Sequence, residues 1–361
     1  MHRPRKNSKI LVMIRLLNLV LIALFTIEHA VGAASSSAAV VRSEPSIFRN
    51  LMENARISSI AGAFSCSITH SAVVPLDVVK TKMQCDSAYK GLTTRQSAKK
   101  MVADKGGLGL LLQGLSATSV GYFCQGACKF GVFEMLKGAL AQLPGYNPEG
   151  PLRVPGLIAA SSLAETVACL TLTPLERARI QMVVHKQPSL VACMRGLLAE
   201  SGFRGLYVGL RPIMLKQIPY TAVKLTGYEL LRRPVAELLE RASGGRLSEE
   251  QRGFLTGLAA GVVAGVAAAA VSQPADVLLS RVCGGNAALA ECVILDSAGA
   301  LVQELRAIGL RGCYAGLKPR AVMVGALTAG QMVLYEEAKR GVRGLGLRGL
   351  GGGAGASLLT A

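Results

Sequence analysis

Apolar residues gather along this chain in six stretches of roughly twenty, with polar residues between them and at recurring places inside them. The stretches fall in pairs: 57–74 with 116–136, 154–173 with 212–231, and 254–271 with 319–335. Most approach the ~20 residues a helix needs to cross a bilayer. A basic loop joins the two members of each pair. The pairs also share landmarks. "PLDVVK" starts at Pro75, "PLERAR" at Pro174 and "PADVLL" at Pro274, 99 and 100 residues apart. "FEMLK", "YELLR" and "YEEAK" close the second stretches at Phe133, Tyr228 and Tyr335, and "LLQGL", "LYVGL" and "CYAGL" recur between them. Near-equal spacing of the proline motifs, with the other landmarks recurring in the same order, marks true internal repetition. The pattern predicts an all-α membrane protein, six transmembrane helices in three pseudo-threefold repeats around a central cavity. The repeats span 49–147, 148–247 and 248–340. A buried six-helix soluble bundle is the alternative.

Small residues dominate the first stretches. Gly257, Gly261 and Gly265 repeat every four residues, a spacing that lets helices approach closely in lipid. The proline near the end of each first stretch is expected to kink or end its helix.

Composition sharpens this picture. Of 361 residues 51% are hydrophobic and only 17% charged, against about a quarter charged in soluble proteins. The net charge is nevertheless +18, so the cations must sit at ends, in loops or in a wet interior. They are spread between apolar runs and not gathered in one basic block, which argues against nucleic-acid binding. The nine cysteines form neither a disulfide framework nor a metal-ligand spacing. Cys124 and Cys128 lie one helical turn apart, as buried thiols do. Residues 1–48 begin basic, turn apolar and end in small residues, the layout of a signal-like targeting leader. The Gly/Leu-rich tail from Gly341 has no core pattern and is expected to lack regular structure.

Charges at each end of the stretches repeat three times. Asp77 with Lys80 and Glu176 with Arg179 follow the first two prolines, and Asp276 follows the third. Glu134 with Lys137, Glu229 with Arg232 and Glu336 with Lys339 close the second stretches. Acid and base three residues apart on three neighbouring helices can pair between repeats and shut one end of a cavity. The alternative is ordinary interfacial charge. Other polar groups sit deeper. At about 100° per residue, Gln125 stacks with Lys129, and Lys216, Tyr220 and Lys224 share an arc. Arg320, Thr328 and Gln331 share another. A cation facing lipid at mid-bilayer costs about 2.5–3.5 kcal/mol, so these groups are expected to face a common aqueous cavity as an anion site. Lys216 and Arg320, near the starts of their stretches, could instead snorkel. His70 shares a face with Asp77, and Glu165 with Glu176.

With these residues assembled, the triple P-x-[DE]-x-x-[KR] and the aromatic-acid-x-x-base closures resemble the mitochondrial carrier family over residues 50 to 340. "THSAVVPLDVVK", "GYFCQGACKFGVFE", "KQIPYTAVK" and "VSQPADVLLS" with "GALTAGQ" resemble its phosphate-carrier branch. The resemblance implies the carrier fold in an organelle inner membrane. It also implies phosphate moved with a proton, or equivalently against hydroxide. It places Asp77, Lys80, Arg179 and Asp276 in a matrix-side gate, pairing Asp77 with Arg179 and Asp276 with Lys80. The partner of Glu176 would be Leu279, which leaves that acid unpaired. Glu134, Lys137, Glu229, Arg232, Glu336 and Lys339 form the cytoplasmic-side gate. Lys129, Lys216 and Lys224 fall on the substrate path, and His70, Glu165 and Glu176 on the proton path. His70 could instead be a packing residue bonded to a carbonyl. Cys169 and Gln273 stand where that branch usually has titratable residues.

The expected partners are therefore inorganic phosphate, protons and membrane lipid, with no nucleic acid and no cofactor or metal. One chain holds all three repeats, so a monomer can suffice. Two other readings remain at this stage: a carrier of another small ligand such as copper, with Cys124 and Cys128 the thiols to test, and a non-transporting membrane interaction protein. An enzyme is not expected, since no nucleophile–base constellation or phosphate loop is present. The signal-like leader allows a plastid or other organelle membrane instead of the mitochondrial one.

Overall fold

The computed structural model describes residues 45–283 and 317–349, apart from breaks at 86, 90–91, 104–106, 144–145, 148, 186–188 and 208, plus a few positions between 306 and 314. The leader to residue 44, most of the third repeat's basic loop and the tail beyond Gly349 lie outside the described residues. In chain order the helices are α1 Pro45–Cys85, α2 Thr94–Ala103, α3 Leu115–Ala141, α4 Arg153–Val184, α5 Leu190–Gly205, α6 Leu210–Ser243, α7 Glu249–Cys283 and α8 Leu317–Gly349. The six long ones contain the six apolar stretches. The short α2 and α5 lie in the basic loops of the first two repeats.

Each long helix packs against the next, α1 on α3, α3 on α4, α4 on α6, α6 on α7 and α7 on α8, and α8 returns to α1. This closes a six-membered ring of three helix pairs. Its outer surface carries Phe64, Ile68, Phe123, Val263 and Val322 exposed, while Lys129, Lys224, Glu165, Gln125 and Gln331 are buried inside. A soluble bundle would place these the other way round. Four spans, Arg49–Met83, Gly107–Ala141, Arg153–Val184 and Glu249–Val277, are long and apolar enough to cross a membrane. Helices α6 and α8, which carry Lys216, Lys224 and Arg320, are not among them.

Three local features differ from or add to the sequence reading. The prolines do not end their helices: α1, α4 and α7 run nine or ten residues past Pro75, Pro174 and Pro274. One missing backbone donor is tolerated where packed neighbours hold the flanks. The glycine of "LLQGL" and "LYVGL" is the residue just before α3 and α6, with φ 81° at Gly114 and 100° at Gly209. That left-handed turn suits a residue without Cβ and explains the third recurring landmark. Helix α8 continues to Gly349, so residues 341–349 are helical and not an irregular tail.

Small residues do bring backbones together. A Cβ on Gly62 would lie 2.6 Å from the Gly126 carbonyl oxygen, which joins α1 to α3. A Cβ on Gly261 would lie 2.7 Å from Ala329 Cα, and one on Gly265 2.8 Å from Thr328 Cβ. Gly257 makes ordinary contacts only.

Candidate functional site

The inward polar side chains form three layers along the ring axis. At the end marked by the aromatic-acid motifs, the charged groups expected to form a gate pair in a cycle. Lys137 Nζ lies 3.0 Å from Glu229, Arg232 3.5 Å from Glu336, and Lys339 3.8 Å from Glu134. The base of each repeat thus reaches the acid of the next, and Lys137 also holds its own Glu134 at 3.1 Å. Beneath this cycle Phe130, Phe133, Leu225, Tyr228, Met332 and Tyr335 pack together. Only about 10 Å³ of free space remains between them and the gate. Outside the gate a funnel of about 1260 Å³ opens against Arg232 and Glu336.

The middle layer is built on Glu165. Its carboxylate lies 3.2 Å from Lys129 Nζ. It accepts hydrogen bonds from Gln125 Nε2 at 2.8 Å and Thr221 Oγ1 at 2.9 Å, and Cys169 Sγ approaches at 3.7 Å. Lys224 Nζ donates to Gln331 Oε1 at 2.9 Å and stands 5.0 Å from the Tyr220 ring centre. Tyr220 in turn reaches Thr328 across 3.3 Å. Lys129 and Lys224 are 2% and 1% exposed, so burial of these cations is nearly complete. The groups face inward as anticipated and bond to one another across the ring, with Gln125 Oε1 buried and without a hydrogen-bond partner. A buried charge is sustained only when paired and hydrogen-bonded, and Glu165 and Gln331 supply those partners.

His70 sits in the same layer. Its Nδ1 is 2.9 Å from the Cys66 carbonyl, and its ring stacks on Tyr122 at 3.6 Å. A carbonyl only accepts, so Nδ1 carries the proton and donates to Cys66. The carbonyl-bonded packing contact that the sequence allowed for is thus present.

At the proline end the two pairs implied by resemblance are present but long, Arg179 to Asp77 at 4.0 Å and Lys80 to Asp276 at 3.9 Å. Glu176 is not the lone acid expected from Leu279. Arg179 grips it from one turn away on α4, with Nε donating at 2.9 Å and a second guanidinium nitrogen completing a fork. An i,i+3 spacing places those groups over each other, so one arginine serves two acids. Lys216 and Arg320 also belong here. Lys216 Nζ lies 2.9 Å from Asp276 Oδ1 and Arg320 Nε 3.7 Å from Oδ2. Arg320 also donates to Gln273 and Ser272, each at 2.8 Å. The single anion site expected from shared helix faces is thus split. Lys216 and Lys224 are eight residues apart on α6, about 12 Å along the axis, and Arg320 and Gln331 about 16 Å apart on α8.

Several contributors were not anticipated. Thr221 and Ser272 lie inside the quoted stretches "KQIPYTAVK" and "VSQPADVLLS" but were not singled out. Tyr122 was legible, since seven residues before Lys129 puts it on the same face. Cys169 and Gln273, noted only as departures from the resemblance, both touch the polar layers. Cys128 is buried and Cys124 half-buried. Among the described residues no group of three or more His, Cys, Asp or Glu is gathered as a metal site.

Comparison with known proteins agrees with this architecture. The family model described as "Mitochondrial carrier protein" matches residues 53–143, 150–237 and 250–345, one match per helix pair. "Mitochondrial substrate carrier family protein N" of Dictyostelium discoideum is 39% identical over 287 residues, 77% of this chain and 92% of that protein. "Phosphate carrier protein, mitochondrial" of Caenorhabditis elegans is 33% identical, over 78% of this chain and 79% of that protein. "Mitochondrial phosphate carrier protein 2, mitochondrial" of Arabidopsis thaliana is 36% identical, over 78% and 74%. Three matched repeats, a closed ring of helix pairs and a charge motif at each end together make this chain a member of the mitochondrial carrier family.

Proposed function

We propose that the protein is an alternating-access carrier that moves inorganic phosphate together with a proton. Family members are transporters and not enzymes, and family membership indicates a multi-pass protein of the mitochondrial inner membrane. On this reading the proline end is the matrix-side gate and the aromatic-motif end the cytoplasmic-side gate. Phosphate as substrate is supported by the worm and plant relatives, whose names state it.

The observation that carries the reading is the buried Lys129–Glu165 pair, 3.2 Å apart, between two ionic gates. Lys129 Nζ, Gln125 Nε2 and Thr221 Oγ1 all point at one carboxylate. The same donors suit a phosphate oxygen, because charge-assisted hydrogen bonds to oxyanions are the strong ones. Phosphate that replaces the carboxylate would leave Glu165 charged and dry, which is costly. A proton on Glu165 removes that cost, so anion and proton enter as a unit. Lys224, Gln331 and Tyr220 complete the central site, while His70 and Glu176 carry the proton to and from Glu165. Lipid surrounds the ring, and one chain supplies all six helices, so a monomer can work.

The test is uptake of labelled phosphate by proteoliposomes containing the full chain, with and without a pH gradient. Uptake should accelerate when the outside is more acidic, and Glu165→Gln should lose that acceleration. Phosphate uptake indifferent to the gradient in the unaltered protein would remove proton coupling. No phosphate uptake at all would remove the substrate.

A further inference from the structure

Gln125 and Gln331 are both fully buried in the central layer, yet their amides differ in how well they are satisfied. Gln331 Oε1 accepts from Lys224, and its Nε2 donates to Cys66 Sγ at 2.6 Å. Gln125 Nε2 donates to Glu165 Oε1, but its own Oε1 is buried without a hydrogen-bond partner. Chemistry sets the orientation of this amide. A carboxylate only accepts, so the N–H end must face Glu165 and the carbonyl end is left over. The neighbouring donors are engaged elsewhere: Lys129 and Thr221 serve Glu165, Lys224 serves Gln331, and Tyr220 meets Thr328. Among the described residues, Gln125 Oε1 is the buried partnerless atom whose residue also touches Glu165. A buried acceptor of this kind calls for a donor.

We propose that Gln125 Oε1 receives a hydroxyl of the transported anion, and that this contact makes the site select tetrahedral oxyanions that carry an O–H. The inference rests on the reading that phosphate takes the place of the Glu165 carboxylate. In that exchange Lys129, Thr221 and Gln125 Nε2 turn to unprotonated oxygens of the anion, which accept. The N–H and C=O of the amide stand side by side. A phosphate edge with one P–O⁻ and one P–OH presents the complementary acceptor and donor. Inorganic phosphate and arsenate keep at least one O–H at neutral pH. Sulfate and monofluorophosphate are of similar size and shape but present only acceptors, which set lone pairs against the Gln125 carbonyl. A site whose polar group pairs with a substrate hydroxyl rejects the analogue that lacks it, because that group is then buried and unpaired. The cations of the layer attract all of these anions, and Gln125 tells them apart.

Competition against labelled phosphate bound to the full chain, in nanodiscs of zwitterionic lipid at neutral pH, tests this. In the unaltered protein arsenate should compete nearly as well as phosphate, and monofluorophosphate and sulfate at least tenfold more weakly. Gln125→Met removes the carbonyl, so phosphate should lose more affinity than monofluorophosphate and the gap should narrow to a few-fold. Thr221→Val removes a donor and no acceptor; it should weaken both anions alike and leave the gap intact. These ratios are read on protein that binds, so a variant that fails to fold cannot imitate a narrowed gap. Monofluorophosphate binding to the unaltered protein as tightly as phosphate would overturn the proposal without any variant. An unchanged gap in Gln125→Met would overturn it too. Phosphate that neither binds nor enters proteoliposomes would remove the transport reading and this inference with it. Phosphate that is transported with no preference over monofluorophosphate removes the inference alone.

Discussion

The central pair makes a quantitative prediction that separates charge pairing from simple packing. Lys129→Met deletes a cation that is 2% exposed and leaves Glu165 fully buried with hydrogen bonds but no counter-charge. Breaking a buried pair by removing one partner typically costs about 3–5 kcal/mol. At about 2–4 °C per kcal/mol for a chain of a few hundred residues, the unfolding midpoint should fall by roughly 6–20 °C. The double variant Lys129→Met/Glu165→Gln removes both charges, keeps a carbonyl acceptor for Gln125 and presents an amide N–H that the Thr221 hydroxyl can accept. It should recover most of that loss, because replacing a buried pair by neutral groups is often near neutral. Thermal unfolding of the purified protein in detergent reads the stability, and proteoliposome uptake reads the function. Both variants should be inactive in uptake, although only the single one is unstable. Equal stability of the single and double variants would refute the pairing argument. Phosphate uptake by Lys129→Met would remove Lys129 from the site.

Three further perturbations test the frame around it. Reversing Arg232→Glu should stall uptake by opposing Glu336, and the swap Arg232→Glu/Glu336→Arg should restore a substantial part of it; a swap no better than the single change would show that the pair is not a working contact. Gly126→Ala should destabilise the fold by about 1–3 kcal/mol, the usual cost of overpacking, since its Cβ would run into the Gly62 carbonyl; an unchanged denaturation midpoint would contradict the close α1–α3 contact. Leu279→Arg supplies the third repeat with the base that its motif lacks. It should compete with Arg179 for Glu176, add a third bridge between repeats and slow turnover, whereas an unaltered rate would show that the missing base is immaterial.

Periodicity carried most of the fold and much less of the site. Three proline motifs 99 and 100 residues apart, with an apolar pair around each, were enough to predict six helices in three repeats, because lipid leaves a spanning chain few options. Angle along a helix correctly turned Gln125, Lys129, Lys224 and Gln331 inward. Height was the missing coordinate: Lys216 and Lys224 share an arc, yet they meet different partners two turns apart. Partners were the other gap. Nothing in the motif says that Arg179 will reach back to Glu176 as well as across to Asp77, since that depends on how far apart neighbouring helices stand. Likewise the filling of the central layer by Glu165 is invisible in spacing. It depends on α3, α4 and α6 meeting at one height, where Lys129, Gln125 and Thr221 all reach its carboxylate.

The relative strengths of the layers bear on which one governs the cycle. Partly exposed ion pairs contribute about 0–1 kcal/mol each. The proline-end bridges, at 3.9 and 4.0 Å, are longer than the 3.0–3.8 Å contacts of the other end. Neither gate is therefore held by a large energy, as a gate that opens in each cycle requires. The Lys129–Glu165 pair is different: it is dry, and separating it without a substitute costs several kcal/mol. On the transport reading the barrier to an empty, uncoupled turnover lies in the middle of the protein. The gates then set which side is open, and the central pair sets whether anything happens without cargo. Phosphate lowers the barrier by replacing one partner, and a proton lowers it by neutralising the other. A carrier arranged this way resists leaking protons in the absence of phosphate, because a protonated Glu165 alone would abandon the buried charge of Lys129.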